Sequence, residues 1–159
     1  MNVLVLGSGG REHALSWKLA QSSQMEKLYI APGNAGTATL GENVELDPMD
    51  FVGIAEFVQA NDVGIILVGP EQPLVAGIKD YFQARPEIKT SVIGPSASAA
   101  RLEGSKSFAK QFMVKHNIPC AKSETFTKST KSKASGFLAT LKPPYVIKAD
   151  GLAGGKGVV

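Results

Sequence analysis

The sequence predicts an α/β fold built on a parallel β-sheet of at least four strands. Apolar runs of strand length, such as residues 2–7 (NVLVLG) and 63–69 (VGIILVG), alternate with longer segments whose apolar residues recur at helical spacing. Turns rich in glycine and proline follow most of these runs. Since strands that alternate with helices form parallel sheets covered on both faces, this order favours the α/β class.

The elements of the predicted sheet follow one another through residues 1–100. The first strand, 2–7, is followed by glycines and by a helical pattern from about 12 to 21 in which Ala14, Leu15 and Leu19 are apolar. Further strands are predicted at 28–31, 63–69 and 91–94, and further helices at 51–60 and 74–84.

The pattern changes after Pro95. Residues 105–115 form a helical pattern with Phe108 and Phe112 on one face. Beyond it, strands are predicted at 123–126 and 145–149, with a helix at 134–141. We therefore expect three regions: an α/β domain at 1–100, a helical connector at 101–122 and a second, smaller α/β region at 123–159.

Composition excludes several classes of protein. With 159 residues, 43% of them hydrophobic and 19% charged, the chain can bury a globular core. The single cysteine, Cys120, excludes an internal disulfide, and no apolar run approaches the length of a membrane span. We expect no membrane association and a location in the reducing cytoplasm.

Charge is distributed unevenly along the chain. Residues 1–100 carry 6 Lys and Arg against 11 Asp and Glu, whereas residues 101–159 carry 11 against 3. The basic region could neutralise phosphates of a nucleic acid. However, the lysines of 122–142 lie mostly among Ser and Thr rather than alternating with stacking aromatics, so we expect no nucleic-acid partner.

The segment VIKADGLAGGKGVV at 146–159 has the composition of a phosphate clamp. Its glycines let backbone N–H groups approach an anion, and its two lysines add positive charge. A Walker loop is disfavoured, because Asp150 occupies the first glycine position and Gly157 replaces the metal-binding hydroxyl. The β-branched Val158 and Val159 favour strand, loop and strand, a flap over a nucleotide's phosphates, although an ordinary surface hairpin remains an alternative.

The first glycine cluster, GSGGREH at 7–13, suggests a dinucleotide site but lacks part of that motif. Position 12, where GxGxxG has its third glycine, is Glu12, and no carboxylate for a ribose hydroxyl follows the strand at 28–31. A single phosphate at the helix N-terminus and plain helix packing stay open as alternatives. Three more loops, 32–37, 69–73 and 94–96, follow predicted strands, where open α/β sheets bind ligands, although turn chemistry alone could explain them.

Five motifs in order give a more specific indication: GSGGREHAL, APGNAGTA, GPEQPLVAGI, GPSASAARLEGSKSFAK and VIKADGLAGGKGVV. Together they closely resemble the glycinamide ribonucleotide synthetases, or phosphoribosylamine–glycine ligases, ATP-grasp enzymes of purine biosynthesis. The resemblance runs from residue 1 to residue 159. It implies a Rossmann-like pre-ATP-grasp sheet followed by the beginning of an ATP-grasp domain, with 123–159 a partial lid. Gln72 and Gly154 stand where such sequences commonly have alanine.

The resemblance implies a ligase that joins glycine to 5-phosphoribosylamine and cleaves ATP to ADP and phosphate. ATP would phosphorylate the glycine carboxylate, and the amine would displace phosphate from the resulting acyl phosphate. Catalysis would depend on positioning and on cations rather than on a protein nucleophile, so no catalytic nucleophile is assigned. Mg²⁺ or Mn²⁺ is expected, with ligands beyond residue 159 and none within it. A monomer is expected.

Site residues carried over from the family form two groups. Lys106 and Lys148 would contact the α- and β-phosphates of ATP, and the glycine-rich loop would cover the β- and γ-phosphates. The loop residues are Gly151, Gly154, Gly155, Lys156 and Gly157. The sugar phosphate would contact Gly9, Gly10, Asn34, Ala35, Gly36, Thr37, Pro70 and Glu71.

Two other residues keep open interpretations. His13 could lie near the sugar or be structural, and Glu103 is expected at a helix start. Since family members continue well past residue 159, we expect this polypeptide alone to be inactive. Another ATP-grasp ligase and a non-catalytic nucleotide-binding module remain alternatives.

Overall fold

The computed structural model describes residues 1–154 and 156–159, so Gly155 lies outside the described residues. The strands are β1 (Asn2–Gly7), β2 (Leu28–Pro32), β3 (Glu42–Asn43), β4 (Val63–Val68) and β5 (Ser91–Ile93). The helices are α1 (Gly10–Leu19), α2 (Phe51–Ala60), α3 (Glu71–Val75), α4 (Ile78–Gln83), α5 (Ala97–Gly104), α6 (Lys106–Lys115) and α7 (Ala134–Leu138). The chain divides into two compact units, Met1–Ala100 and Arg101–Val159.

The first unit contains a parallel sheet of five strands in the order β3-β2-β1-β4-β5. The central strand β1 pairs with both neighbours, with Val5 opposite Ile30 on one side and opposite Leu67 on the other. The chain leaves β1 first toward β2 and β3 and later returns to its other side with β4. This reversal creates a crevice at the carboxyl ends of β1 and β4, the place where open α/β sheets bind ligands.

The sheet is covered on both faces, which explains why its inner strands β1, β2 and β4 are largely apolar. Alternate residues of β1 contribute to two separate cores: Leu4 and Leu6 pack with residues of α2 and α4, and Val3 and Val5 pack with the opposite face of β2. Leu4 and Val5 are both fully buried. The predicted α/β fold with a parallel sheet is confirmed.

Three features of this unit differ from the sequence prediction. α1 begins at Gly10 rather than near residue 12, so the glycine turn forms the start of the helix. The helix predicted at 74–84 is two helices, α3 and α4, separated at Gly77, which has a φ of 93° that other residues rarely adopt. The short edge strand β3 was missed, because two polar residues carry no periodic signal.

The second unit has little regular structure. α6 begins at Lys106 with Ser105 as its N-cap, whose hydroxyl accepts the N–H of Phe108 at 3.2 Å. The strand predicted at 123–126 is wrong, since those residues form no strand. The strand predicted at 145–149 is reduced to antiparallel pairing of 147–149 with 157–159, in which Ile147 and Val159 exchange hydrogen bonds of 2.7 and 2.8 Å.

Among its described residues, 101–154 and 156–159, none is buried. Over both units, no helix in the described part of the chain combines the length and the apolar character that crossing a membrane requires.

Candidate functional site

A cleft of about 340 Å³ lies at the carboxyl ends of the central strands. It is lined by residues that follow β1, β2 and β4 and by the segment before α2: Gly7, Ser8, Gly9, Glu12, Pro32, Asp47, Pro48, Met49, Pro70, Gln72 and Pro73. Parallel strands bring these loops to one edge of the sheet, so residues far apart in sequence meet there. Gly9 and Pro70, two of the residues predicted to contact the sugar phosphate, are among the lining residues.

The glycine turn between β1 and α1 folds around one charged side chain, that of Glu12. Its side chain folds back from the first turn of α1, and the residue is 4% exposed. Its Oε2 accepts the N–H of Gly9 at 2.8 Å, which satisfies one of the N–H groups that a helix start leaves free. The N–H of Gly9 therefore points at a carboxylate of the protein itself.

Arg11 links α1 to the start of α3. Its Nε donates to Oε1 of Glu12 at 2.7 Å, and one of its terminal nitrogens lies 3.8 Å from Oε2 of Glu71. The side chain of Arg11 is still more than half exposed. The predicted contact Glu71 thus belongs to a charged cluster with Arg11 and Glu12, a cluster that sequence reasoning did not anticipate.

The loop after β2 holds its own side chains in place. Oδ1 of Asn34 accepts the N–H groups of Gly36 and Thr37 at 2.8 and 3.0 Å, and its Nδ2 donates to the carbonyl of Ser8 at 2.8 Å. The buried hydroxyl of Thr37 accepts the N–H of Asn34 at 2.7 Å and lies 2.8 Å from Oδ1 of Asn43. These bonds fix the loop against the first glycine turn.

The structure thus brings the predicted contacts Gly9, Gly10, 34–37, Pro70 and Glu71 to the same edge of the sheet. His13 lies against the loop at 34–37, because a Cβ on Gly36 would come within 2.6 Å of the His13 ring. Ala35 is exposed, and Gly10 has open space around it. A ligand at this edge can therefore reach backbone groups and half-exposed polar side chains.

The glycine-rich segment of the second unit is joined to the start of α6. Lys106 donates from Nζ to the carbonyl of Gly151 at 2.7 Å. Gly151 and Gly154 have positive φ values of 81° and 53°, which only glycine adopts readily in a turn. A Cβ on Gly157 would lie 2.7 Å from the side chain of Ala153, so this position also requires glycine.

Asp150 is the carboxylate that fixes this connection. Its oxygens accept the hydroxyl of Ser107 at 2.8 Å, the N–H of Ser107 at 3.2 Å and the hydroxyl of Ser105 at 3.2 Å. Bonds from the Ser107 hydroxyl and N–H lower the pKa of Asp150 from 3.8 to about 2. The sequence signal for this role is an Asp before the glycine loop together with the pattern Ser-Lys-Ser at a helix start.

The predicted cationic groups of the second unit differ in their surroundings. Lys106 is partly buried and already donates to Gly151, whereas Lys148 and Lys156 are exposed. The backbone around Lys148 pairs with Val158, so its side chain stands on the paired segment that flanks the loop. Gly155 lies outside the described residues. Glu103 lies in the last turn of α5 and not at a helix start, which corrects that expectation.

Comparison with protein families accounts for the whole chain. The model described as "Phosphoribosylglycinamide synthetase, N domain" matches residues 1–103. The model described as "Phosphoribosylglycinamide synthetase, ATP-grasp (A) domain" matches residues 104–159.

The chain belongs to the phosphoribosylglycinamide synthetase family. The resemblance inferred from the five motifs is confirmed.

Individual members of this family support the assignment. The chain is 50% identical over 162 residues to the phosphoribosylamine–glycine ligase of Yersinia pestis, and 50% identical over 159 residues to that of Halalkalibacterium halodurans. In both comparisons all of this chain is covered, but only 36% of the relative. The chain therefore spans about a third of the length of the curated relatives it matches.

Solved structures agree with the fold. The crystal structure of phosphoribosylamine–glycine ligase from Thermotoga maritima matches with a TM-score of 0.70 and 35% identity, covering 100% of this chain and 35% of that one. N5-carboxyaminoimidazole ribonucleotide synthetase from the same organism matches with a TM-score of 0.71 and 17% identity, covering 99% of this chain and 40% of that one. The second likeness shows the shared fold alone.

Proposed function

We propose that this chain is the amino-terminal part of an ATP-dependent ligase that joins glycine to 5-phosphoribosylamine in purine biosynthesis. The observation that carries the proposal is the family match over all of residues 1–159, together with about 50% identity to proteins named phosphoribosylamine–glycine ligase. The geometry is compatible with it, since one unit offers a sheet-edge cleft and the other a glycine loop flanked by lysines.

The proposed reaction has two steps. A carboxylate oxygen of glycine attacks the γ-phosphorus of ATP, ADP leaves, and an acyl phosphate forms. The amine of phosphoribosylamine then attacks the acyl carbon, phosphate leaves, and the amine nitrogen loses a proton. A carboxylate needs this activation, because its oxygen is otherwise too poor a leaving group to be displaced by an amine.

We assign the phosphates of ATP to the second unit. Lys106 and Lys148 contact the α- and β-phosphates, and the loop Gly151, Gly154, Gly155, Lys156 and Gly157 covers the β- and γ-phosphates. The support is chemical: exposed lysines beside a turn with little steric bulk favour an anion. Lys106 would exchange the carbonyl of Gly151 for a phosphate oxygen.

The aminosugar ester is assigned to the cleft edge, in contact with Gly9, Gly10, Asn34, Ala35, Gly36, Thr37, Pro70 and Glu71.

We propose the domain limits 1–100, 101–122 and 123–159. We also propose that the protein is a monomer in the cytoplasm and that its partners are small molecules only.

The described residues contain no ready-made protein cage for a divalent metal. No group of three or more His, Cys, Asp or Glu side chains that could hold a metal ion occurs in the described part of the chain. We propose that the ligands for Mg²⁺ or Mn²⁺ belong to the longer protein, and no step is assigned to the metal in this chain.

The proposal is tested with the longest natural polypeptide that contains this chain. ADP formation is measured with glycine alone, with phosphoribosylamine alone and with both. We expect ADP at a steady rate only when both are present. Equal rates with other carboxylate and amine pairs would instead indicate a different ATP-grasp ligase, and nucleotide binding without turnover would indicate a binding module.

The site assignment is tested by Lys148→Ala, with Lys142→Ala as the matched control. Both side chains are exposed lysines of the second unit, and only Lys148 stands on the paired segment that flanks the loop. Loss of a charged hydrogen bond to a phosphate lowers affinity by about tenfold or more. Unchanged ATP affinity in Lys148→Ala would remove this residue from the site.

A further inference from the structure

Glu12 stands where a dinucleotide-binding turn has its third glycine, and the structure shows what the carboxylate does there. It accepts the N–H of Gly9, and it lines the cleft at the reversal point of the sheet. In a dinucleotide fold, this N–H group and this crevice receive the pyrophosphate. The carboxylate thus lies where a ligand anion would otherwise lie.

Three glycines leave room for this side chain. A Cβ on Gly7 would come within 2.6 Å of the Glu12 side chain, and one on Gly9 within 2.9 Å. A Cβ on Gly69, at the end of β4, would also overlap it. Gly7 and Gly69 belong to different strand ends, so two separate parts of the sheet accommodate the carboxylate. The turn is shaped around Glu12 rather than around an empty anion site.

The charges near the turn are negative on balance. Arg11 is shared between Glu12 and Glu71, which leaves this cluster of three charges with one net negative charge. Asp47 adds a second carboxylate to the cleft lining. Among the described residues that line the cleft, none is lysine or arginine. Such a lining attracts hydrogen-bond donors and repels phosphates.

We propose that Glu12 is a specificity-determining residue whose negative charge keeps phosphate groups off the β1–α1 turn and reserves the cleft for ligand groups that donate hydrogen bonds, such as hydroxyl or ammonium groups. The exclusion does not depend on the proposed ligase activity. One consequence does rest on that activity: the aminosugar ester would face Glu12 with its hydroxyl or amine groups, and its phosphate would lie elsewhere along the edge.

The test uses inorganic pyrophosphate as the probe and the amide resonances of Gly9 and Gly10 as the readout. Observing these two amides separates binding at the turn from binding at the lysines of the second unit. In Glu12→Gln the side chain keeps its size and its amide oxygen can still accept the N–H of Gly9, while the negative charge and the bond that Oε1 accepts from Arg11 are lost. Glu56→Gln removes a charge from an exposed residue of α2 and serves as the control.

We expect Glu12→Gln to bind pyrophosphate at the turn about tenfold more tightly than the wild type, because removing one charge a few ångströms from an anion has an effect of this order. The control should match the wild type. Equal affinity in Glu12→Gln and the wild type, whether both bind or neither does, would overturn the proposal.

Glu12→Gly provides a second measurement, since it completes the motif GxGxxG at positions 7, 9 and 12. It removes the charge and also vacates the space, so its gain in pyrophosphate affinity should be at least as large as that of Glu12→Gln. A folded Glu12→Gly protein without such a gain contradicts the proposal. Should this variant fail to fold, the result with Glu12→Gln decides.

Discussion

The two units support their candidate sites in different ways. In residues 1–100, the loops of the cleft follow strands that are buried on both faces, and the central Leu4 and Val5 have no exposed surface. In residues 101–159, no described residue is buried, and the glycine loop is tied to α6 by the hydrogen bonds of Asp150 and Lys106. Rigidity comes from packing in the first unit and from polar bonds to a helix start in the second.

The comparison predicts that truncating an apolar side chain lowers the free energy of unfolding strongly only in the first unit. Leu4→Ala removes a fully buried side chain from the central strand and should lower the free energy of unfolding by about 2–5 kcal/mol. Val114→Ala, at a side chain that is 71% exposed on α6, is the control and should change it by less than about 0.5 kcal/mol. Urea unfolding followed by circular dichroism measures both, and comparable losses would contradict the comparison.

A smaller effect is expected where the cleft loops meet. Gly69→Ala places a Cβ against the Glu12 side chain and should cost about 1–3 kcal/mol of stability through overpacking. Gly10→Ala, which adds a Cβ in open space, should cost far less.

A double-mutant cycle identifies the cause. If the loss in Gly69→Ala arises from Glu12, adding Glu12→Ala should make the combined loss smaller than the sum of the single losses. Strict additivity would show that Gly69 is needed for another reason.

The sequence predicted the fold of the first unit well, because its signal is local. β1 and β4 are mostly β-branched and leucine residues, β2 is an apolar run that includes Tyr29, and the predicted limits of all three agree with the structure to within a residue. The division of the predicted helix into α3 and α4 at Gly77 could have been predicted, since a glycine within a helical pattern often marks the end of a helix. The strand predicted at 123–126 (SETF) failed because a short segment without a partner strand gains no ladder of hydrogen bonds.

The candidate sites were less predictable, because their decisive contacts are not local. Glu12 was noted only as a defect in a glycine motif, and its packing against Gly69 depends on β4 lying beside β1. Likewise, Asp150 meets Ser107 across more than forty positions of sequence. Spacing rules identify which residue types are present, whereas the strand order and the helix start determine which of them meet.

A buried hydroxyl group in the first unit offers a further test of how closely that unit is packed. The Oγ of Ser16 on α1 is buried and has no hydrogen-bond partner within the part of the chain that the structure describes. Ser16→Ala removes an unsatisfied hydroxyl and should raise the free energy of unfolding by up to about 1 kcal/mol. Ser23→Ala, at an exposed serine after the same helix, should have no effect. A clear loss of stability in Ser16→Ala would show that its hydroxyl does have a partner.

The smallest predicted effect concerns Asp150, whose bonds are exposed to solvent. NMR titration of the wild-type carboxyl should give a pKa of about 2, and Ser107→Ala should raise the pKa toward 3.8, because the Ser107 hydroxyl is the largest cause of the lowering. Ser129→Ala, at a hydroxyl that bonds with Thr127, should leave the pKa unchanged.

The sign of the pH dependence follows from this lowering. Because the pKa in the folded state lies below 3.8, the Asp150 bonds stabilise the folded state above that pH and are lost as the pH falls toward 2. Screening by solvent keeps the contribution to global stability small, so the effect should be local. We expect the protection factor of the Ser107 amide, which compares its exchange rate with the intrinsic rate at the same pH, to fall as the pH falls toward 2, while the amides of β1 stay protected. If the amides of β1 lost protection together with the Ser107 amide, the stability of both units would depend on the Asp150 bonds. That result would contradict the contrast between packing and polar bonds.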